Sequence, residues 1–420
     1  MSSTFADVVH QQLAFSREVP SQALVLELTD SDWVQRLRDI SQTANTRLVY
    51  MFSEHSRFGH SLGVAYLADS LMERLSRHNP EVAEYRTAVA AAALLHDVGH
   101  LAPGSHTAHK TWFPEGPDEH ELTACRIVES DPALHTIFHR YGADMAKTVA
   151  AILREDPKLP PWTWEIISGG GWNVDRGNWC AVDSVMAGVT YGRYNIAALT
   201  ESLFIDTEGH LALRENRLDA MMHFAVSRHA MYRQLYQHRV LLAADTINAA
   251  VVRRLRDLHG KVNFADDEMR STLSAKSAAD LPLNTIYAMR ESWWRYHLGR
   301  WSNDSDPILS DLSQRLLNRR LFKTVRIQPG DDPQTLQKQA AAAVSKAGFD
   351  PRYYLHSITS ANVHAGDSEH SLRVLAEDGN FKQLGDADPL FNTLLTGADS
   401  YRQSWLALPR EAKEILGRTR

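Results

Sequence analysis

Apolar residues along this chain recur mainly at helical spacing. Val64, Leu67, Leu71 and Leu75 share one helical face and predict a helix starting near His60. His78-Asn79-Pro80 breaks it. An alanine-rich helix over 85–95 follows and stops at Leu94-Leu95-His96-Asp97-Val98-Gly99-His100. Upstream, Ser31-Asp32 reads as the cap of a helix containing Trp33, Val34, Leu37 and Ile40. The short apolar run over 24–28 reads as a strand or an extended lead-in, and the first residues as a polar, poorly patterned segment. Further helices are predicted from Glu121 through Val128 and over 145–153, the latter ended by Pro157, Pro160 and Pro161. One long helical pattern covers 219–258.

The last third changes character. Residues 260–320 keep a helical pattern, broken at Leu281-Pro282. Alternation over 321–327 predicts a strand, 335–347 a helix ended by Gly348, and 353–358 and 372–375 two further strands. The expected fold is mainly α, with a small α+β appendage at the C-terminal end. The expected division is a core over 1–258 and a C-terminal region over 259–420.

Composition changes this picture little. The 420 residues, 44% hydrophobic and 23% charged, are those of an ordinary globular protein. A formal charge of −6 gives no global argument for nucleic-acid binding. Cys125 and Cys180 lack CxxC spacing, so neither a disulfide framework nor a thiolate zinc site is expected, and a reducing, cytoplasmic setting is the simplest inference. No signal peptide and no membrane span are expected.

The 20 histidines matter more. His96-Asp97 at a helix end supplies half of a metal site. His60 and Asp175 are candidates for the other half, giving two imidazoles and two carboxylates suited to iron, manganese, zinc or magnesium. The run Ser168-Gly169-Gly170-Gly171-Trp172 is not followed by the residues of a phosphate loop.

Arg57-Phe58-Gly59-His60-Ser61-Leu62-Gly63-Val64, Leu95-His96-Asp97-Val98-Gly99-His100, and Asp175-Arg176 with Trp179 and Asp183 resemble the HD-domain phosphohydrolases. More narrowly, they are similar to the deoxynucleoside triphosphate triphosphohydrolases. The resemblance continues through Tyr236-Gln237-His238 to Arg320-Leu321-Phe322-Lys323 and Leu375-Ala376-Glu377-Asp378-Gly379. It implies that His60, His96, Asp97 and Asp175 ligate a catalytic metal. His100, His106 and His120 would then serve acid/base and phosphate-contact roles, with His106 favoured as the general acid. Metal-bound water would attack the α-phosphorus and release triphosphate.

The same resemblance assigns Arg57, Arg176 and Arg228 to phosphate, and Asp183 to the sugar 3′-hydroxyl. Trp179 would meet phosphate, Tyr236 the sugar, and Gln42 and Gln237 the sugar or base. Arg228, Tyr236 and Gln237 are expected to share a face of one helix. A homo-oligomer, dimer or tetramer, with an allosteric nucleotide is also implied. The chain departs from the family pattern at Gly59, His109, Asn178 and Trp179, and at Thr43-Ala44-Asn45-Thr46, where the family has a glycine-rich run. Those departures keep two alternatives open: an HD phosphohydrolase acting on another nucleotide or phosphoester, and a nucleotide-sensing regulator with weak catalysis.

Overall fold

A computed structural model describes residues 2–103, 107–116, 120–258, 261–360, 372–396 and 402–417. The polar start is ordered as a hairpin. Strands β1 (Ser2–Asp7) and β2 (Gln11–Ser16) pair antiparallel, with Ser2 opposite Ser16 and Asp7 opposite Gln11. The run over 24–28 is not a strand but the buried part of helix α1 (Pro20–Thr29). A short unbroken apolar run does not distinguish strand from buried helix, and Pro20 in the first helical turn decides it. Helix α2 (Asp32–Arg36) is capped by Ser31, whose hydroxyl accepts from Val34 N, as the sequence predicts.

The centre of the molecule is a stack of helices: α3 (Arg57–Ser76), α4 (Val82–Leu95), α5 (Ala108–Trp112), α6 (His120–Ser130), α7 (Pro132–Phe138), α8 (Met145–Leu153), α9 (Trp162–Ser168) and α10 (Val174–Met186). Helix α4 is buried on all sides over Ala88–Leu95 and packs against α1, α3 and α8. Its alanines carry no bulk beyond Cβ, so neighbouring helices approach closely around it. Helix α10 crosses α3 and rests on α9. Three helix ends therefore converge: the first turn of α3 with His60, the last residues after α4 with His96-Asp97, and the first turn of α10 with Asp175.

Two short strands follow helix α11 (Ile196–Ser202): β3 (Leu203–Ile205) and β4 (Leu211–Arg214). The pattern over 219–258 then divides. Helix α12 (Leu218–Met231) passes through a π-helical turn, Tyr232–Tyr236, before α13 (Arg239–Asp257) begins, capped by His238. Arg228, Tyr236 and Gln237 accordingly do not share one regular helical face. Helices α14 (Asp267–Ser274), α15 (Leu283–Ala288), α16 (Glu291–Trp301) and α17 (Pro307–Leu317) complete the helical body.

Beyond it lie β5 (Lys323–Arg326), α18 (Pro333–Lys346), α19 (Pro351–Tyr354), β6 (His356–Thr359), β7 (Arg373–Leu375), β8 (Phe381–Gln383), α20 (Leu384–Ala387), α21 (Pro389–Thr396), β9 (Ser404–Leu408) and α22 (Arg410–Leu416). The expected strand over 353–358 begins as helix, because Asp350 caps α19 by accepting from Arg352 N and Pro351 occupies the first turn. Strands β5, β9 and β6 form an antiparallel sheet, and β3, β4, β7 and β8 a mixed one in which β4 pairs parallel with β7. The fold is thus mainly α with small sheets towards its C-terminal part. The mixed sheet joins segments from both sides of residue 258.

Arg36 binds several of these segments together. Its buried guanidinium donates to the carbonyls of Val98, His100, Ile286, Tyr287 and Met289. The Ile286 and Met289 carbonyls also accept the backbone N–H groups of Met289 and Ala102, and the Tyr287 carbonyl accepts from Arg290 Nε, so Arg36 matters most to the buried carbonyls of Val98 and His100.

Candidate metal centre

The side chains at the three helix ends face one another. His60 Nε2 lies 3.0 Å from Asp175 Oδ1, and His96 Nε2 lies 3.4 Å from the same oxygen. Asp97 closes the group: its Oδ1 is 3.5 Å from His96 Nε2 and its Oδ2 is 3.6 Å from His60 Nε2. The ligand atoms of His60, His96 and Asp175 all lie within 4.8 Å of one another. All of His60, His96 and Asp97 is at least nine-tenths buried.

The tautomers decide what this arrangement is for. His60 donates from Nδ1 to Asn178 Oδ1 at 2.9 Å, and His96 donates from Nδ1 to the Ala93 carbonyl at 2.8 Å. With Nδ1 so engaged, each ring turns its Nε2 towards carboxylate oxygens, an arrangement that is favourable only with a cation, a proton or a metal ion, between nitrogen and oxygen. His96 Nε2 is buried, with carboxylate oxygens of Asp175 and Asp97 at 3.4 and 3.5 Å. Burial disfavours a charged His96, yet Asp97 and then Asp175 outweigh it and push its pKa up to about 9. Despite burial, Asp175 is held well below the usual carboxylate range by hydrogen bonds to His60 and His96. The donor set and its charge fit a divalent metal bound by imidazole and carboxylate, with Asn178 and Ala93 orienting the rings from behind.

Two glycines make this geometry sterically feasible. A Cβ on Gly63 would come within 2.4 Å of Asn178 Nδ2, so glycine there leaves Asn178 its place beneath His60. A Cβ on Gly99 would come within 2.0 Å of the His120 carbonyl, so glycine lets the start of α6 close over the chain after α4. That closure stacks His120 on His100 with ring centroids 4.1 Å apart. His100 Nε2 lies 3.1 Å from Asp97 Oδ1. Burial, then Arg57 and His120, hold His100 well below the ordinary histidine range, so it is neutral and donates to Asp97. His106 lies outside the described residues. His109 is buried, with Nε2 3.4 Å from the Gly99 carbonyl.

Two cavities open from the centre. The first, about 710 Å³, is lined by His96, Asp97, Asp175, Arg57, Arg176 and His120 among others. Arg57 donates to Asp97 Oδ2 at 2.5 Å and Arg176 to the Gly169 carbonyl at 3.2 Å. The second, about 730 Å³, is lined by Thr43, Asn45, Trp179, Asp183, Tyr236 and Asp245 among others. Gln42 and Trp179 line both and mark where they meet. In the second cavity Asp183 accepts from Tyr236 Oη at 2.5 Å and pairs with His55 Nε2 at 2.7 Å. Trp179 packs edge-on against Tyr232 and Tyr236. Its indole N–H has no hydrogen-bond partner among the described residues. The Thr43 hydroxyl, by contrast, is engaged with Ser53 Oγ at 3.0 Å.

The structure thus brings together His60, His96, Asp97, Asp175, His100, His120, Arg57, Arg176, Gln42, Trp179, Asp183 and Tyr236. Arg228 is buried with its guanidinium 5.5 Å from the Tyr232 ring centroid, and neither it nor Gln237 lines the two cavities. The π-helical turn displaces them from the expected common face. Sequence reading did not single out His55, Tyr232 or Asp245. For Asp245 a signal existed: an acidic residue within the otherwise buried face of α13.

Residues 57–168 match the model of the HD domain. The chain is 28% identical over 391 residues to the protein YwfO of Bacillus subtilis, covering 90% of this chain and 86% of that one. It is 27% identical over 382 residues to the deoxynucleoside triphosphate triphosphohydrolase SAMHD1 of Homo sapiens, covering 78% of this chain and 58% of the human protein's length. The crystal structure of a phosphohydrolase from Bacteroides thetaiotaomicron has the same fold, with a TM-score of 0.80 at 23% identity and coverage of 98% of this chain and 100% of that one.

Proposed function

For an HD-domain phosphohydrolase that resembles the deoxynucleoside triphosphate triphosphohydrolases, we propose metal-dependent hydrolysis of deoxynucleoside triphosphates to deoxynucleoside and triphosphate. The observation that carries this reading is the junction of the two cavities. A metal-type ligand set and two arginines line one, an aromatic pocket with a buried carboxylate forms the other, and Gln42 and Trp179 stand between them. A nucleotide has the same two halves.

A divalent metal held by His60, His96, Asp97 and Asp175 would acidify a water and neutralise charge on the phosphorus oxygens. The chain's own groups divide the remaining work. Arg57 and Arg176 meet the phosphate oxygens with guanidinium donors. Trp179 adds its unpartnered indole N–H at the junction. Asp183, accepting from Tyr236 and paired with His55, keeps an acceptor for the sugar 3′-hydroxyl, and Tyr236 closes the pocket against the sugar ring. His100 stays neutral and orients Asp97, while His120 faces the phosphate cavity. With the α-phosphorus at the metal, the leaving 5′-oxygen needs a proton, a step we assign to His120 or, on the family resemblance alone, to His106. The assembly is proposed to be a homo-oligomer.

Chromatography of products from all deoxynucleoside and ribonucleoside triphosphates, supplied singly and in mixtures with manganese or iron, tests the reading. Deoxynucleoside and triphosphate in equal amounts are expected. Orthophosphate or a nucleoside monophosphate as product would overturn it.

A further inference from the structure

The aromatic cavity carries a polar pair that the reaction above does not use. Asp245, on α13, lines the cavity beside Leu241, Leu242, Thr46 and Asn45. Asn45 Nδ2 donates to Asp245 Oδ1 at 2.7 Å. Among the described residues, no donor meets Asp245 Oδ2. Burial pushes the Asp245 carboxyl up to about 7, against the opposing hydrogen bond from Asn45. A carboxylate left half-paired among leucines and aromatic rings is costly unless a ligand completes it.

Its position indicates which part of a ligand arrives there. The metal-type residues lie beyond Gln42 and Trp179, and Asp183 and Tyr236 line the same cavity as Asp245. A nucleotide with its phosphates at the metal and its sugar at Asp183 leaves its base the remainder of this cavity, which Asp245 helps to line.

We infer that Asp245, oriented by Asn45, reads the base and selects guanine. The inference rests on the proposed nucleotide reading of the two cavities. An ionised carboxylate only accepts hydrogen bonds, with about four lone-pair sites on two oxygens. Asn45 takes one, and the others suit two adjacent N–H donors. Guanine presents such a pair, N1–H beside the 2-amino group. Adenine and cytosine set a single amino group beside a ring-nitrogen lone pair, which the carboxylate repels. Thymine flanks one N–H with two carbonyls. Asn45 stands within the Thr43-Ala44-Asn45-Thr46 run, where the chain departs from the family's glycine-rich pattern, so this pairing is a property of this chain's own residues.

The test titrates the metal-loaded protein with deoxyguanosine, deoxyadenosine, deoxycytidine and thymidine, and measures kcat/KM on the four triphosphates, for the wild type and Asp245→Asn. Deoxyguanosine is expected to bind about tenfold to a hundredfold more tightly than the other three, as for a good bidentate base contact. Asp245→Asn is expected to remove that difference and to lower kcat/KM for dGTP by the same factor, leaving the other three within about threefold. Equal binding of the four nucleosides, a guanine preference that survives Asp245→Asn, or a uniform loss on all four triphosphates would overturn the inference. If Asp245→Asn does not fold, Asn45→Ala serves instead: a reduced guanine preference supports the inference and an unchanged one overturns it. The nucleosides carry no phosphate. A guanine preference without release of triphosphate would therefore sink the hydrolytic reading and leave the base reading standing.

Discussion

At the scale of the residue, the centre depends on which nitrogen of each imidazole is engaged. Asn178 and the Ala93 carbonyl occupy the Nδ1 positions of His60 and His96 and so present both Nε2 atoms to one point. Asn178→Ala should leave the fold intact and weaken metal affinity by roughly tenfold to a hundredfold. His96→Ala should lose the metal outright. Metal content measured after dialysis checks both, and an Asn178→Ala protein with unchanged affinity would show that the ring orientation is held by packing alone. Asp69, away from the site, makes a different prediction. It accepts from Ser21, Gln22 and both arms of Arg86, which keep it below the ordinary carboxylate range although burial acts in the other direction. A depressed carboxylate contributes stability that is present above its unfolded pKa and lost as pH falls through the folded one. The urea midpoint should therefore decline below about pH 4, and Asp69→Asn should flatten that acid limb while lowering stability near neutrality by on the order of 3 kcal/mol.

At the scale of the element, most helices were legible because each has an apolar face of its own. The helix beginning at Arg57 declares itself by periodicity, the one beginning at Val82 by its alanine-rich run, and Asn79-Pro80 breaks the chain between them. Elements whose identity is set elsewhere were not legible. The run Leu24 to Leu28 is equally apolar as strand or buried helix. The π-helical turn at Tyr232–Tyr236 sits inside an unbroken helical pattern, and its cost is met by tertiary packing of Trp179 and Tyr236. The residues of the candidate metal centre were readable from His96-Asp97 and its flanks, together with His60 and Asp175. The Asn45–Asp245 pair was not, because the two residues lie far apart in sequence and meet only when α13 folds over the segment after α2. Gly99 shows how one position couples two elements. A methyl group there meets the carbonyl of His120 at the start of α6, so Gly99→Ala should destabilise the protein by about 1–3 kcal/mol and separate His120 from His100. Thermal unfolding reads the first effect. A loss of activity larger than the loss of folded protein reads the second.

At the scale of the whole molecule, the site is built where distant segments are bound together. Arg36 donates to carbonyls in the chain just after α4 and in the segment around α15. Its removal takes the donor from the buried Val98 and His100 carbonyls, so Arg36→Ala should cost about 3 kcal/mol and lower metal affinity through the displaced His100 segment. The mixed sheet joins β4 to β7, so the C-terminal part is tied to the body that carries the ligands. No helix among the described residues is long and apolar enough to cross a membrane. In the proposed reaction water is added at the α-phosphorus, between the candidate metal centre and the aromatic pocket. The direct measurement is turnover of a deoxynucleoside triphosphate in ¹⁸O-labelled water with mass analysis of both products. One labelled oxygen in the triphosphate and none in the deoxynucleoside is the predicted result. Label in the deoxynucleoside or in orthophosphate would contradict the account.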